Sequence, residues 1–88
     1  LLALNTGDYQ TARDELERVY PAAPESRAVV KALGYARLWS GEPDGAAALL
    51  RGLPEAREEL AAYVNYWESI GQVALSERAR ALAHLLEP

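Results

Sequence analysis

The segment GDYQTARDEL at residues 7–16 recurs in altered form as GEPDGAAALL at residues 41–50. The residues that match between the two copies are Gly7 and Gly41, Ala12 and Ala46, and Leu16 and Leu50. Their spacing is about 34 residues, which is typical of stacked helix-turn-helix units. Each such unit has an apolar face that it cannot bury alone, so the units stack and leave a groove along one side. The repeat therefore predicts an all-helical fold with a surface for a partner.

The composition indicates one small helical domain and excludes several functions. Half of the 88 residues are hydrophobic, and helix formers dominate. The net charge is −4, without the basic surface of a nucleic-acid binder. No apolar run reaches the ~18 residues of a membrane span, so we expect no direct membrane insertion. The absence of cysteine leaves both cytoplasm and periplasm open, with the periplasm slightly favoured.

Apolar spacing and capping residues predict five helices after a helical tail at residues 1–5. Asp8 and Ser26 are the expected caps of the first two helices. In the first helix, the face expected to be buried consists of Tyr9, Ala12, Leu16 and Val19. The expected helices are residues 9 to 19 or 20, 27–39, 43 to 51 or 52, 54–70 and 74–86. The chain begins at Leu1, within the helical tail and without methionine, so we expect a piece excised from a longer array.

The middle unit resembles a tetratricopeptide repeat over its whole length. Leu33 and Gly34 match the Leu-Gly pair of that family, Gly41 the turn glycine, Ala46 the small residue at the helix crossing and Leu50 a large apolar residue. The resemblance implies antiparallel helix-turn-helix pairs stacked as a short right-handed superhelix, an α-solenoid. It divides the single domain, 1–88, into half a repeat, 1–26, and two repeats, 27–56 and 57–88. The first helix of each pair would line a concave surface.

Departures from the family pattern predict local differences. Val30 and Arg37 take positions where the family has Trp and Tyr. The interval from Ala46 to Pro54 is four residues shorter than that from Ala12 to Pro24, so the second helix of the middle unit should lack one turn. In the third unit Gly71 is the expected turn glycine and Ala79 the expected small residue. The interval from Gly71 to Ala79 is wider than that from Gly41 to Ala46, and it predicts a longer turn at residues 72–75.

The concave surface implied by the resemblance supplies the candidate partner-binding residues. They are Lys31, Tyr35, Leu38, Trp39, Asn65 and Glu68, with Leu1, Leu4, Asn5, Ala28, Glu58 and Ala61 at further concave positions. Tyr35 and Trp39 lie one helical turn apart and either contact the partner or, for Trp39, cover a hairpin junction. Replacing Tyr35 by Ala or Lys31 by Glu should then weaken binding and leave the melting point nearly unchanged. Only Lys31 and Asn65 match a carboxylate clamp, so we do not expect one.

The remaining aromatic residues and the single histidine are interpreted as structural. Tyr63 and Trp67 are expected to pack in the core rather than form a ligand-stacking platform, with Tyr66 facing a neighbouring helix or a missing repeat. His84 has no neighbours suited to catalysis or metal binding and should be solvated. We therefore expect no enzyme activity and no cofactor.

The predicted function is that of a protein-protein interaction scaffold whose concave face binds a partner peptide or domain. The alternative is a spacer or assembly module of a larger bacterial envelope complex, such as polysaccharide export machinery. That alternative includes self-association through exposed repeat ends. The identity of the partner protein is open in both cases.

Overall fold

The computed structural model describes residues 8–87, and these residues form five α-helices and no strand. The all-α prediction is therefore confirmed. A short 3-10 helix, Tyr20–Ala22, follows the first α-helix. The expected helical tail and the concave positions Leu1, Leu4 and Asn5 lie outside the described residues. The helices are α1 Tyr9–Val19, α2 Arg27–Trp39, α3 Pro43–Leu50, α4 Ala56–Ser69 and α5 Val73–Leu85.

Side chains cap the first two helices as the sequence predicts. The Asp8 carboxylate accepts a hydrogen bond from the Thr11 amide at 3.2 Å, and the Ser26 hydroxyl accepts one from Val29 at 3.3 Å. These bonds satisfy amides that have no partner within the first turn of a helix. The starts of α1 and α2 are thus fixed by local chemistry.

Two helical hairpins, α2–α3 and α4–α5, have turns of one geometry. Gly41 and Gly71 adopt φ values of 92° and 78°, a region that disfavours residues with a Cβ. In each turn the next amide donates 2.8 Å back to a carbonyl, Glu42 to Arg37 and Gln72 to Trp67. The longer turn expected at residues 72–75 is therefore wrong, because α5 begins directly after Gln72.

The prediction that α3 lacks one turn is confirmed. It contains 8 residues, compared with 11 in α1. The chain then turns through residues 51–55, so α4 begins at Ala56 rather than at Pro54 as expected. Leu53 in this connection is buried and donates its amide to Leu50 at 2.9 Å. This inward connection delays the start of α4 by two residues.

The core is divided between a main cluster and a smaller cluster beneath α1. The smaller cluster consists of Ala12, Leu16, Leu33 and Ala36. Val19, expected on the same buried face, is 46% exposed. It is the last residue of α1, and α1 packs mainly on α2. The main cluster consists of Tyr35, Leu38, Trp39, Ala46, Ala47, Leu50, Leu53, Ala56, Leu60, Trp67, Leu75, Ala79 and Leu82.

Arg37 joins three helices where the resembling repeat has a tyrosine. Its guanidinium pairs with Glu17 of α1 at 2.7 Å and donates to the Gly45 carbonyl of α3 at 3.1 Å. Both contacts lie at the edge of the core, where a long charged side chain can keep its stem packed. The departure at this position therefore replaces an aromatic contact by a polar bridge.

Ser76, rather than Ala79, occupies the small position of the third unit. It follows Gly71 by the same interval that separates Ala46 from Gly41, and it is only 1% exposed. Its hydroxyl donates to the Val73 carbonyl at 2.8 Å, which satisfies the polar group inside the core. Ala79 is also buried, one turn further along α5. The interval from the turn glycine is the sequence signal that identifies Ser76.

Candidate interaction surface

Two rows of side chains join α2 to α4, and we call this contact the α2–α4 ladder. Each row has one residue every four positions, so it follows one side of its helix. The two helices run in the same direction, because residues that come later in α2 meet residues that come later in α4. The rows are Arg27, Lys31, Tyr35 and Trp39 on α2, and Glu55, Glu59, Tyr63 and Trp67 on α4 and its N-cap.

The first half of the ladder is polar. Arg27 pairs with Glu55 at 2.7 Å, and Lys31 pairs with Glu59 at 2.9 Å and with Glu55 at 3.2 Å. The Tyr35 hydroxyl donates to the second Glu59 oxygen at 2.9 Å. Glu59 thus receives both an ammonium and a phenol from α2. The cations of α2 are therefore already paired within the chain.

The second half of the ladder is aromatic. The ring centroids of Tyr35 and Tyr63 are 5.0 Å apart, and those of Trp39 and Trp67 are 5.4 Å apart. A diagonal contact joins Trp39 to Tyr63 at 5.2 Å, edge to face. These separations lie in the range preferred by packed aromatic pairs. The prediction that Tyr63 and Trp67 are packing residues agrees with this arrangement.

The ladder changes the proton affinity of its members. Burial, followed by the Glu59 hydrogen bond, raises the pKa of Tyr35, and burial followed by the Glu59 charge raises that of Tyr63. The hydrogen bonds to Glu59 and Glu55 raise the pKa of Lys31. The hydrogen bond from the backbone N–H of Glu55 itself, followed by that from Arg27, lowers the pKa of the Glu55 carboxyl to about 2. Near neutral pH the phenols are therefore uncharged, Lys31 is protonated and Glu55 is ionised.

The structure separates the six candidate binding residues into two groups. Tyr35, Leu38 and Trp39 are 4%, 0% and 3% exposed, because α4 and the core cover them. Lys31 is half-buried in the ladder, whereas Asn65 and Glu68 are exposed. A partner approaching this conformation therefore finds Asn65 and Glu68 directly and Lys31 at an edge. The side chains of the other three offer almost no surface.

The side of α4 opposite its buried residues is exposed to solvent, with Glu68 near its end paired to Arg80 of α5. Ala56, Leu60 and Trp67 mark the buried side. Tyr66 is 53% exposed, although its ring touches that of Trp67 at a centroid distance of 4.9 Å. We call the exposed side the open face of α4. It consists of Arg57, Glu58, Ala61, Ala62, Asn65, Tyr66, Glu68 and Ser69.

Sequence reasoning found Glu58, Ala61, Asn65 and Glu68 on this face, and it assigned Tyr66 to a neighbouring helix or a missing repeat. It missed Arg57, Ala62 and Ser69. These three could have been found from the buried spacing of Leu60, Tyr63 and Trp67, since residues on the other side of the same helix must face outward. The open face combines small side chains, an amide and charges of both signs. It is suited to non-covalent contact with another macromolecule.

The other sequence features add no reactive group to this surface. The His84 side chain is 78% exposed and lies 3.7 Å from Glu87. Among residues 8–87, no three metal-ligating side chains come together. No helix in that part of the chain has the length and apolar character needed to cross a membrane.

Comparison with known proteins places the repeat pattern in a family. A family model described as a tetratricopeptide repeat matches residues 3–65, more than two thirds of the chain. The matched range includes α1, α2, α3 and much of α4. No curated protein and no solved structure matched the chain.

Proposed function

The chain belongs to the tetratricopeptide repeat family, and from this membership we propose that it is a non-catalytic module that binds a partner protein on the open face of α4. Repeats of this family generally mediate protein-protein interaction. The observation that carries the proposal is the unequal exposure of the two helices that would line the concave surface. Of these, α2 is covered at Tyr35, Leu38 and Trp39, whereas α4 is open at Asn65 and Glu68.

Equivalent positions of the two hairpins make this comparison direct. Relative to the turn glycines, Asn65 of α4 corresponds to Tyr35 of α2, and Glu68 corresponds to Leu38. The α2 members of these pairs are buried and the α4 members are exposed. Binding through Asn65 and Glu68, with Lys31 at the edge, is therefore the form of the site that the surface supports. Tyr35, Leu38 and Trp39 would act by holding α4 in position.

The chemistry of the open face suits a protein partner. The Asn65 amide can both donate and accept a hydrogen bond, which allows it to pair with a partner's backbone or side chains. Ala61 and Ala62 leave space for close approach, and Tyr66 adds a large exposed ring of the kind enriched in binding hot spots. The open face thus offers both apolar and polar groups, as protein interfaces usually do.

A photo-crosslinking experiment tests this site with matched positions. The crosslinking residue replaces Ala62 on the open face in one variant and Ala81, an exposed alanine of α5, in the other. We expect a discrete crosslinked protein from position 62 only, and its loss when Asn65→Ala and Glu68→Ala are added. Equal capture at both positions, or none at position 62, would contradict the proposal.

A second candidate function is that of a spacer or assembly module, for example in a bacterial envelope complex such as polysaccharide export machinery. The observation in its favour is the pair of apolar residues Ile70 and Val73, which are 51% and 60% exposed on either side of the α4–α5 turn. Replacing both by serine should then release the chain from its complex in sedimentation. Retention of the complex would count against this role.

A further inference from the structure

We propose that the partner bound on the open face of α4 is a second copy of this chain, with the two α4 helices antiparallel. This inference rests on the proposed function, because it names the occupant of the same face. Its basis is the placement of Arg57 and Glu68 at the two ends of one edge of that face, while Glu58, its third charge, lies nearer the middle line of the face. A two-fold interface brings such opposite charges together, because each copy presents the same surface to the other.

Arg57 and Glu68 lie along one edge of the open face, at its two ends. They are eleven residues apart, which corresponds to three turns plus about 20° of rotation and to a rise of about 16 Å. A two-fold axis perpendicular to the helices reverses the direction of the second helix. It keeps the edge that bears Arg57 and Glu68 on the same side of the interface in both copies. The Arg57 of each copy therefore meets the Glu68 of the other, and two equivalent ion pairs form.

The two charged groups are available for this contact. Arg57 is exposed and forms no ion pair with any residue from 8 to 87. Glu68 pairs with Arg80 of α5, but both side chains remain about half exposed, at 45% and 51%. A carboxylate has two oxygens and can accept from a second guanidinium. Each pair would thus extend into an Arg57, Glu68 and Arg80 group.

The centre of the open face allows the helices to approach. The midpoint between Arg57 and Glu68 falls between Ala62 and Tyr63, and Ala61 and Ala62 present only methyl groups. In the reversed pair, Asn65 of one copy lies over the space beside Ala61 of the other. A second copy places each Arg57 opposite a Glu68 at the same distance from the centre, which an unrelated partner need not do.

Two charge reversals test the pairing without requiring a known ligand. Arg57→Glu leaves glutamate at both ends of the row, and Glu68→Arg leaves arginine at both ends. We expect the wild-type chain to associate in sedimentation equilibrium as its concentration rises, and each variant to lose about tenfold in the association constant. An equimolar mixture of the two variants should recover association, because both contacts between positions 57 and 68 in the mixed pair join opposite charges.

The outcomes separate this inference from the proposed function. A wild-type chain that stays monomeric up to near-millimolar concentration overturns the dimer, as does a mixture that associates no better than either variant. If the dimer fails while Ala62 still captures another protein, the open face keeps its binding role with a different partner. Circular dichroism of both variants establishes that the helices are retained.

Discussion

Gly34 and Leu50 occupy one shared space: a Cβ placed on Gly34 would lie 2.6 Å from the Leu50 Cγ. No real Cβ tolerates such a distance, so the Leu50 side chain or one of the two helices would have to shift. Leu50 is itself fully buried at the end of α3. The absence of a side chain at Gly34 therefore sets how closely α2 and α3 pack.

Replacing Gly34 by alanine should destabilise the fold although alanine favours a helix. We expect the free energy of unfolding to fall by about 1–3 kcal/mol, because the added methyl overpacks the core. Urea denaturation measures this change. Gly52→Ala is the matched control, since no atom lies within 4 Å of its Cβ position, and it should change stability by less than about 0.5 kcal/mol. Equal effects would contradict the shared space.

Removing the Tyr35 hydroxyl should weaken the α2–α4 ladder. Tyr35→Phe deletes the donor to Glu59 and should lower the free energy of unfolding by about 1–2 kcal/mol. Tyr66→Phe removes a hydroxyl from a ring that is 53% exposed and should change it by less than about 0.5 kcal/mol. If the two variants unfold at the same urea concentration, the Glu59 contact does not stabilise the chain.

The expectation that Tyr35→Ala would affect binding alone changes with the structure. Tyr35 is 4% exposed, so its loss removes a core ring that contacts Tyr63. We expect a cost of about 3–5 kcal/mol in the free energy of unfolding, as for other large-to-small core changes. Thermal melting, rather than capture of a partner, is therefore the measurement that tests this variant.

Glu55 should give the chain an acid-sensitive component of stability, through a hydrogen bond from its own backbone N–H first and through Arg27 of the ladder second. Its pKa is lowered from 4.5 to about 2, so ionised Glu55 stabilises the fold above pH 4.5, and this stabilisation is lost as the pH falls toward 2. Glu55→Gln should reduce the pH dependence of the free energy of unfolding between pH 4.5 and about pH 2. Glu58→Gln, an exposed neighbour, should leave the wild-type slope. Parallel curves for all three chains would exclude the contribution of Glu55.

Ser76 should accept a smaller side chain and reject a larger one. Ser76→Ala restores the residue type of Ala46 and should change stability by less than about 1 kcal/mol, since it removes both the hydroxyl and its need for a partner. Ser76→Leu should cost about 1–3 kcal/mol by overpacking. Ala81→Leu adds a comparable side chain on an exposed part of α5 and should be nearly neutral. Thermal unfolding compares the three.

Much of the fold could be predicted because its determinants are local. Asp8 and Ser26 act within one turn of their helices, and Gly41 and Gly71 act within their own hairpins. The shortened α3 was also readable, as a missing interval before Pro54. Each of these features depends on residues a few positions apart.

The binding surface was less predictable because it depends on how one hairpin lies against the next. Arg27 and Glu55 are far apart in the sequence, and their pairing requires the position that α4 takes after the short α3. The burial of Tyr35 and Trp39 follows from the same placement. No local pattern in α2 distinguishes an open concave position from one that the next helix covers.

The missing turn of α3 shortens the helix along its axis and largely keeps the direction in which its buried residues face. A loss of four residues shortens a helix by about 6 Å and returns the chain to within about 40° of the same angle. Ala46, Ala47 and Leu50 consequently remain buried although the helix is shorter. The stagger between neighbouring hairpins can therefore change in whole-turn steps, by insertion or deletion alone, while the residues that pack inside each hairpin stay as they are.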